Sequence, residues 1–202
     1  MSTKILVVAS SNQGKVAEMR KILVANLSSN CQFKSLSDFD QFKTVSEPEE
    51  NGVDYLSNAK IKAQHYFKEL GFTFGDAFVI ADDSGIECVD LDGYPGLISA
   101  RIGDSDEHRR SVLLKVLKER LGDCEKYLAR FVCYAVSYDG HNFRVGFGEC
   151  SGEIQAEPKG SNGFGYDPIF YLPDGRTMAE LEENEKNEIS HRGIALRNLF
   201  EC

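Results

Sequence analysis

The sequence predicts an α/β fold built on a mixed β-sheet. Short apolar runs typical of buried strands alternate along the chain with segments whose apolar residues recur at helical spacing. Helices interleaved with strands are typical of α/β architecture, and the turn signal Asp139-Gly140 predicts one antiparallel hairpin within the sheet. The 202 residues contain no internal repeat, low-complexity tract or linker-like shift in composition. We therefore expect a single domain over residues 1–202.

Two or three strands and two helices are predicted in the first half of the chain. The apolar runs at residues 5–9 and 77–81 are typical of buried strands, and residues 86–89 could form another short one. The second run ends at the pair Asp82-Asp83. Two apolar stripes at helical spacing predict the helices, and Gly71 is a plausible end for the second. The stripes consist of Met19, Ile22, Leu23 and Leu27, and of Leu56, Ala59, Ala63, Phe67 and Leu70.

A helix, a hairpin, a short strand and a final helix are predicted in the second half. The third helix should cover about residues 106–121, with Asp104 or Ser105 as its N-cap and Gly122 at its end. The final helix is predicted from an apolar set, with Asn187 or Ser190 as its cap. The strands are expected at residues 128–138, 143–149 and 169–172, and the apolar set is Ile189, Leu196, Leu199 and Phe200.

Charge and cysteine usage exclude some classes of partner. There are 32 acidic and 23 basic residues, for a formal net charge of -9, which argues against a nucleic-acid polymer as the partner. No apolar run approaches the roughly 20 residues that span a bilayer, so no membrane association is expected. The six cysteines show no C-x-x-C spacing, and we interpret the first apolar run as a strand rather than a signal peptide. Reduced thiols and a cytoplasmic localisation are therefore expected.

The segment of residues 78–85 carries the strongest chemical signal. An apolar run ends there in Asp82 and Asp83, followed by a hydroxyl and a glycine. Two carboxylates at the end of a buried strand are costly unless a cation meets them. Mg²⁺ fits, because it is usually held by one or two carboxylates together with substrate phosphates. An acidic turn is an equally good interpretation of this segment alone.

Two loops have features of a nucleotide site. The loop at residues 10–15 lies between a strand and a helix, where backbone N–H groups and Lys15 could meet an anion. It is not a Walker loop, because Val16 follows the lysine, and it could be an ordinary turn. The glycine-rich segment 160–168 places Phe164 where it could stack on a base and Asp167 where it could accept hydrogen bonds, or it is a loop with one buried aromatic.

Four further residues are ambiguous when each is taken alone. Glu50 could be a solvated surface charge, and Lys62 could be an amphipathic side chain at a helix edge. His191 and Arg192 stand near the start of the final helix, where positive side chains are disfavoured. A ligand with acceptor or anionic groups would explain them there, although a surface arginine and a satisfied histidine would also do so.

Six separated motifs occur in one order over nearly the whole chain. They are Ser10-x-Asn12-x-Gly14-Lys15-x-x-Glu18, Glu50-x-Gly52 ahead of Asn58-Ala59-x-x-Lys62-Ala63, Ala81-Asp82-Asp83-Ser84-Gly85, Pro95-Gly96-x-x-Ser99-Ala100-Arg101, Gly163-Phe164-Gly165-Tyr166-Asp167-Pro168 and Lys186-x-x-Ile189-Ser190-His191-Arg192-Gly193. This series resembles the inosine triphosphate pyrophosphatase family, also called the Ham1-like family.

The resemblance implies an elongated, two-lobed α/β fold around a long twisted mixed β-sheet, with the active site in a cleft between the lobes. It also implies a homodimer, dependence on Mg²⁺, and hydrolysis of the purine nucleotides ITP, dITP and XTP to the monophosphate and pyrophosphate. The biological role would be to remove deaminated purines from the nucleotide pool.

The resemblance further implies roles for individual residues. Asp83 would activate the attacking water, Lys62 would be a triphosphate or catalytic lysine, and Glu50 and Asp83 would bind Mg²⁺, with Asp82 a neighbour in metal binding or in support. The implied substrate contacts are Ser10, Asn12, Lys15, Ser84, Arg101, Phe164, Tyr166, Asp167, Lys186, His191 and Arg192. Three serines depart from the usual family pattern without removing an implied catalytic group, and they are Ser10 for Thr, Ser11 for Gly and Ser57 for an acidic residue.

Two alternatives remain beside this interpretation. A sensor that binds purine nucleotides without hydrolysing them would keep the aromatic and basic residues but lose a carboxylate, whereas Glu50, Asp82 and Asp83 are all present. A Maf-like pyrophosphatase of modified or pyrimidine nucleotides would be similar in fold. The run Ser190-His191-Arg192 argues against it.

Overall fold

The structure, a computed structural model, describes residues 4–24 and 31–200. Leu27, which the sequence assigns to the first helical stripe, and Cys202 lie outside the described residues. The strands are β1 (Lys4–Val8), β2 (Cys31–Ser35), β3 (Ala77–Cys88), β4 (Tyr127–Tyr138), β5 (Phe143–Ile154) and β6 (Phe170–Tyr171). The α-helices are α1 (Gln13–Val24), α2 (Tyr55–Glu69), α3 (Asp106–Leu121), α4 (Glu183–Ile189) and α5 (His191–Phe200).

The six strands form one sheet in the order β2-β1-β3-β4-β5-β6. β1 pairs in parallel with both β2 and β3, with Leu6 opposite Phe33 and Phe78. β5 pairs antiparallel with β6. The sheet is therefore mixed, and the predicted α/β fold with a mixed sheet is confirmed.

The predicted end of a strand after Ala81 is wrong. β3 continues without interruption to Cys88, so Asp82 and Asp83 lie inside the strand. The expectation failed because polar residues and a glycine interrupt the apolar run, although both carboxylates have cationic partners that allow them to be buried in the sheet. Successive side chains of a strand point to opposite faces, so the two aspartates serve two different environments.

The helix ends follow local capping chemistry. The Asp54 side chain caps α2 by accepting a hydrogen bond from the Ser57 backbone N–H at 2.7 Å. Of the two predicted caps for α3, the structure uses Ser105, whose Oγ accepts from the His108 backbone N–H at 3.2 Å. Gly122 ends this helix with φ of +87°, a left-handed backbone that favours glycine.

The chain divides into two compact units. The first unit contains residues 1–83, 133–148 and 192–202, and the second unit contains residues 84–132 and 149–191. A single domain over residues 1–202 stays a prediction.

In the first unit the sheet is covered on both faces. Leu6, Val8 and Ile80 pack with apolar residues of α1 and α5, while Val7 and Val79 pack against α2. The alternation along β1 and β3 produces this division, because neighbouring side chains face opposite ways. Asp82 therefore shares the face of Ile80, and Asp83 shares the face of Val79.

The second unit has its own core. Buried side chains of β3, β4, β5 and α3 meet those of the segments around β6 in one cluster, which includes Ile86, Leu117, Phe131, Phe170 and Met178. The described cysteines, which are Cys31, Cys88, Cys124, Cys133 and Cys150, are free thiols. None of the helices in the described part of the chain is long and apolar enough to cross a membrane.

Candidate functional site

Asp83 is held by two side chains of α2. Its Oδ2 accepts a hydrogen bond from Asn58 Nδ2 at 3.0 Å, and its Oδ1 accepts one from Lys62 Nζ at 3.3 Å. Asn58 and Lys62 are four residues apart, so they project from the same face of the helix. The helix thus orients both oxygens of a carboxylate that is only 8 % exposed.

The same two side chains of α2 also contact the loop that precedes the helix. Lys62 Nζ lies 3.4 Å from Glu50 Oε2, and Asn58 Oδ1 accepts a hydrogen bond from the Gly52 backbone N–H at 2.8 Å. A Cβ at Gly52 would lie 2.7 Å from Asn58 Oδ1, which explains why glycine occupies this position. We call Glu50, Asn58, Lys62 and Asp83 the Asp83 cluster.

The Asp83 cluster keeps Lys62 charged. Burial of the ammonium alone would lower the pKa of Lys62, but the carboxylates of Asp83, Asp82 and Glu50 outweigh this effect and raise it. Two carboxylates face one ammonium in the cluster, which leaves a net negative charge. Such a site attracts a further cation.

Replacing Asn58 tests how the cluster is oriented. The family resemblance implies a triphosphate substrate and a metal ion at Asp83. On that expectation Asn58→Leu should lower turnover by about 10–100-fold, the range for loss of a residue that orients a metal ligand. Leucine keeps the approximate volume but donates nothing to Asp83 and accepts nothing from Gly52. The measurement is steady-state turnover beside Gln64→Leu, an exposed position on the same helix. Equal rates for the two variants would mean that Asn58 does not orient Asp83.

Asp82 faces a second group of charges, which is buried except for the partly exposed Lys15. Its Oδ2 lies 3.0 Å from Lys15 Nζ and 3.1 Å from Arg192 Nε. Arg192 Nη1 also donates to a carboxylate oxygen of Glu18, a residue of α1. We call Lys15, Glu18, Asp82 and Arg192 the Asp82 network.

Opposite charges keep the Asp82 network ionised. Burial alone would raise the pKa of Asp82, but Lys15, Arg192 and Lys62 outweigh it and hold that pKa well below its usual range. Burial would lower the pKa of Arg192, yet Glu18 and Asp82 raise it. For Asp82 the sequence left open metal binding or support, and this geometry favours support of Lys15 and Arg192.

The loop ahead of α1 is shaped by its own polar side chains. Asn12 Oδ1 accepts a hydrogen bond from the Lys15 backbone N–H at 3.1 Å, and Ser10 Oγ accepts one from the Asn12 backbone N–H at 3.3 Å. These contacts set the start of the helix, where backbone N–H groups suit an anion. The two residues remain predicted substrate contacts.

The second unit contains the predicted aromatic loop. Asp167 Oδ2 accepts hydrogen bonds from the Phe164 backbone N–H at 2.9 Å and from Lys186 Nζ at 2.6 Å. The Lys186 ammonium also lies 5.0 Å from the centre of the half-buried Phe164 ring, a cation–π distance. Gly163 has φ of +74°, and a Cβ there would lie 2.1 Å from Asp167 Oδ2. These residues form one connected group.

The remaining predicted substrate contacts belong to the second unit. Tyr166 is buried, with its hydroxyl donating to the Ser99 carbonyl oxygen at 2.7 Å. The His191 ring stacks on Phe131 with centroids 4.8 Å apart. Arg101 is exposed and donates to the Leu97 carbonyl oxygen, and Ser84 is half-buried on β3. Their substrate roles stay predictions.

Sequence reasoning missed four residues that hold these groups in place. Asn58 and Glu18 stand inside the quoted motifs, and their spacing from Lys62 and Lys15 was a signal that each shares a helix face with a predicted site residue. Asp106 and Arg110 on α3 contact the aromatic loop, and nothing in the local sequence distinguishes them from ordinary surface charges.

Comparison with known proteins identifies the family. The family model described as Ham1 family matches residues 6–202. The chain belongs to the Ham1 family. This confirms the resemblance drawn from the six motifs.

Curated relatives and solved structures from this family cover almost all of the chain. A Bacillus licheniformis protein named dITP/XTP pyrophosphatase is 41 % identical over 199 residues, covering 97 % of this chain and 96 % of the relative. A Dictyoglomus thermophilum protein of the same name is 38 % identical, covering 98 % and 94 %. A HAM1 protein from Coxiella burnetii has a similar structure, with a TM-score of 0.80, 37 % identity and coverage of 98 % and 96 %. The Staphylococcus aureus Ham1 protein gives a TM-score of 0.75 at 36 % identity, covering 96 % and 94 %.

Proposed function

We propose that this chain is a nucleoside triphosphate pyrophosphatase that converts ITP, dITP and XTP to the monophosphate and pyrophosphate. The curated relatives named dITP/XTP pyrophosphatase support this reaction. The structural observation that carries the proposal is the position of Lys62, 3.3 Å from Asp83 and 3.4 Å from Glu50. The protein would remove deaminated purine nucleotides from the nucleotide pool.

The Asp83 cluster fits a magnesium ion that substrate helps to bind. No group of three or more His, Cys, Asp or Glu side chains among the described residues is arranged to hold a metal. Mg²⁺ does not need one, because it is commonly held by one or two carboxylates with substrate phosphates and water. Glu50 and Asp83 supply two carboxylates in a cluster of net negative charge, so they would hold it.

The chain's own residues would divide the hydrolysis between them. A water attacks the α-phosphorus, its proton passes to Asp83, the new P–O bond forms, and the bond to the bridging oxygen breaks to release pyrophosphate. Lys62, kept charged by its carboxylate partners, would neutralise negative charge on the phosphates. Lys15 and the start of α1 would bind a phosphate group. Bound Mg²⁺ would supply further neutralisation of the charge that develops on the transferring group.

The aromatic group would bind the base. Phe164 would stack on the purine, while Asp167 and Lys186 would contact the base or sugar. Inosine and xanthosine carry a 6-oxo acceptor where adenosine carries a 6-amino donor, so His191 and Arg192 as donors would favour ITP and XTP over ATP. A buried donor that a 6-amino group would leave without an acceptor discriminates strongly between such substrates. Guanosine shares the 6-oxo group, so the rejection of GTP requires a different contact.

The wider setting follows from the family resemblance. We propose a homodimer. We also propose a cytoplasmic localisation, which agrees with the expectation from cysteine usage. Size-exclusion chromatography with light scattering tests the first, because a 22.5 kDa chain would elute with twice that mass.

Product analysis tests the reaction. We expect the purified protein with Mg²⁺ to convert ITP and XTP to IMP or XMP and pyrophosphate, and to leave ATP and GTP nearly untouched, as resolved by chromatography. IDP with phosphate would mean attack at the γ-phosphorus and would exclude this mechanism. Binding of ITP without turnover would favour the sensor instead.

A further inference from the structure

Two side chains in the first two turns of α3 form hydrogen bonds with the loop that carries Phe164. Asp106 Oδ2 accepts a hydrogen bond from the Gly165 backbone N–H at 2.7 Å, and Arg110 Nη1 donates to the Gly165 carbonyl oxygen at 2.7 Å. Side chains of one helix therefore hold both backbone polar groups of a single glycine. We call these two contacts the Gly165 clamp.

The helix end that supplies the clamp is itself well anchored. Arg109 Nη1 donates to the other oxygen of Asp106 at 2.7 Å, and Arg109 Nε donates to the carbonyl oxygens of Ala100 and Gly103 at 2.9 and 3.1 Å. Farther along α3, buried leucines pack in the core of the second unit. Asp106 thus has a fixed direction, and it is also favoured in the first turn by the helix dipole.

The Gly165 clamp holds the backbone of Gly165 itself, whereas the neighbouring Phe164 N–H donates to Asp167 Oδ2 at 2.9 Å. Gly163 and Gly165 have φ of +74° and +64°, and glycine is the residue with the most backbone freedom. A Cβ at Gly165 would meet no atom within 4 Å, so nothing packs against that side of the residue. The position of the Phe164 ring depends on the two peptide groups that flank Gly165 as well as on the bond from the Phe164 N–H to Asp167. The clamp holds both of these peptide groups.

We propose that Asp106 and Arg110 are positioning residues that preorganise Phe164 for the purine base. This proposal rests on the proposed function, because it assumes that Phe164 stacks on the substrate. An aromatic ring that is already ordered loses less conformational freedom when substrate binds. Without the clamp the ring must be ordered during binding. The weaker binding of substrate should appear as a higher KM with little change in kcat, because other residues are assigned to the chemistry at phosphorus.

The test is a double-mutant cycle between Arg110 and Phe164. We expect Arg110→Gln to raise the KM for ITP about tenfold with kcat changed less than about twofold, the scale of one lost hydrogen bond to a charged group. Arg110→Lys, which can still donate to a carbonyl, should recover part of the loss. Lys115→Gln removes a charge from an exposed position of the same helix and should behave as the wild type.

The cycle separates positioning from a general structural effect. If Arg110 acts through Phe164, then Arg110→Gln should raise the KM for ITP only slightly in a protein that already carries Phe164→Leu. Additive effects of the two substitutions, or an unchanged KM in Arg110→Gln, would overturn the clamp. Should Arg110→Gln fail to fold, Asp106→Ala provides the same cycle from the other side of Gly165.

The two proposals fail in different ways. Wild-type protein that binds ITP without hydrolysing it would overturn the proposed function alone, and the cycle would then be measured as dissociation constants for ITP by calorimetry. Wild-type protein that neither binds nor hydrolyses ITP would overturn both proposals. Active wild type with additive substitutions would overturn only the clamp.

Discussion

Asp83→Asn should lower the turnover of ITP by about 10²–10⁴-fold, the range associated with loss of a general base. Asparagine has the shape of aspartate but cannot take up the proton of the attacking water, and it brings no negative charge to a metal ion. The fold should persist, because Asn58 and Lys62 keep polar partners. Asn58 still accepts from the Gly52 N–H, and Glu50 still neutralises the Lys62 ammonium. The measurements are kcat for ITP and the thermal unfolding midpoint.

Asp90→Asn provides the matched control for this experiment. Asp90 is an exposed aspartate just beyond the end of the same strand, β3, so the chemical change is identical while the surroundings differ. We expect the control to keep wild-type turnover. Retained turnover in Asp83→Asn would remove Asp83 from the mechanism, and a collapse of its unfolding midpoint would show a structural role instead.

Arg192→Met should destabilise the protein by about 3–5 kcal/mol, the cost of removing one partner from a buried ion pair. Methionine would remove the cation that contacts both Glu18 and Asp82, and both carboxylates would stay buried. For a chain of this length the thermal unfolding midpoint should fall by roughly 6–20 °C. Unfolding is the appropriate measurement, because Arg192 is also a proposed substrate contact and a loss of activity would have two explanations.

Arg176→Met is the control for the buried network. Arg176 also contacts two carboxylates, those of Asp174 and Glu185, but its side chain is 45 % exposed. Exposed ion pairs contribute little to stability because water and salt screen them. We therefore expect the thermal unfolding midpoint of Arg176→Met to fall much less than that of Arg192→Met. Equal midpoints for the two arginine variants would show that the Asp82 network does not stabilise the fold.

The regular elements were predictable because their signals are local. The residues of the apolar stripe of α2 follow one another at short intervals, and the capping residues of α3 adjoin the helix that they cap. The helix α3 begins and ends where predicted. β3 was the exception, because its continuity through Asp82 and Asp83 depends on cations from other segments. The short strand β2 and the helix α4 also lacked a clear apolar pattern and were not predicted.

The sequence proposed residues for the candidate site but could not predict their contacts. Order along the chain identified Asp83, Lys62 and Phe164 through the family resemblance. It could not show that Asp82 and Asp83 serve different partners, or that Asp106 and Arg110 hold the aromatic loop. Those partners lie tens to more than a hundred residues away in the chain, as with Arg192 and Asp82.

The sequence by itself determined the fold class and the family, and it predicted which chemical groups would meet phosphate and base. Periodicity, capping residues and ordered motifs determine these, and all of them can be recognised in linear order. Only the tertiary structure decided which charges are paired. The alternation of β3 sends Asp82 towards Lys15 and Arg192 and Asp83 towards Lys62, because successive side chains of a strand face opposite sides of the sheet.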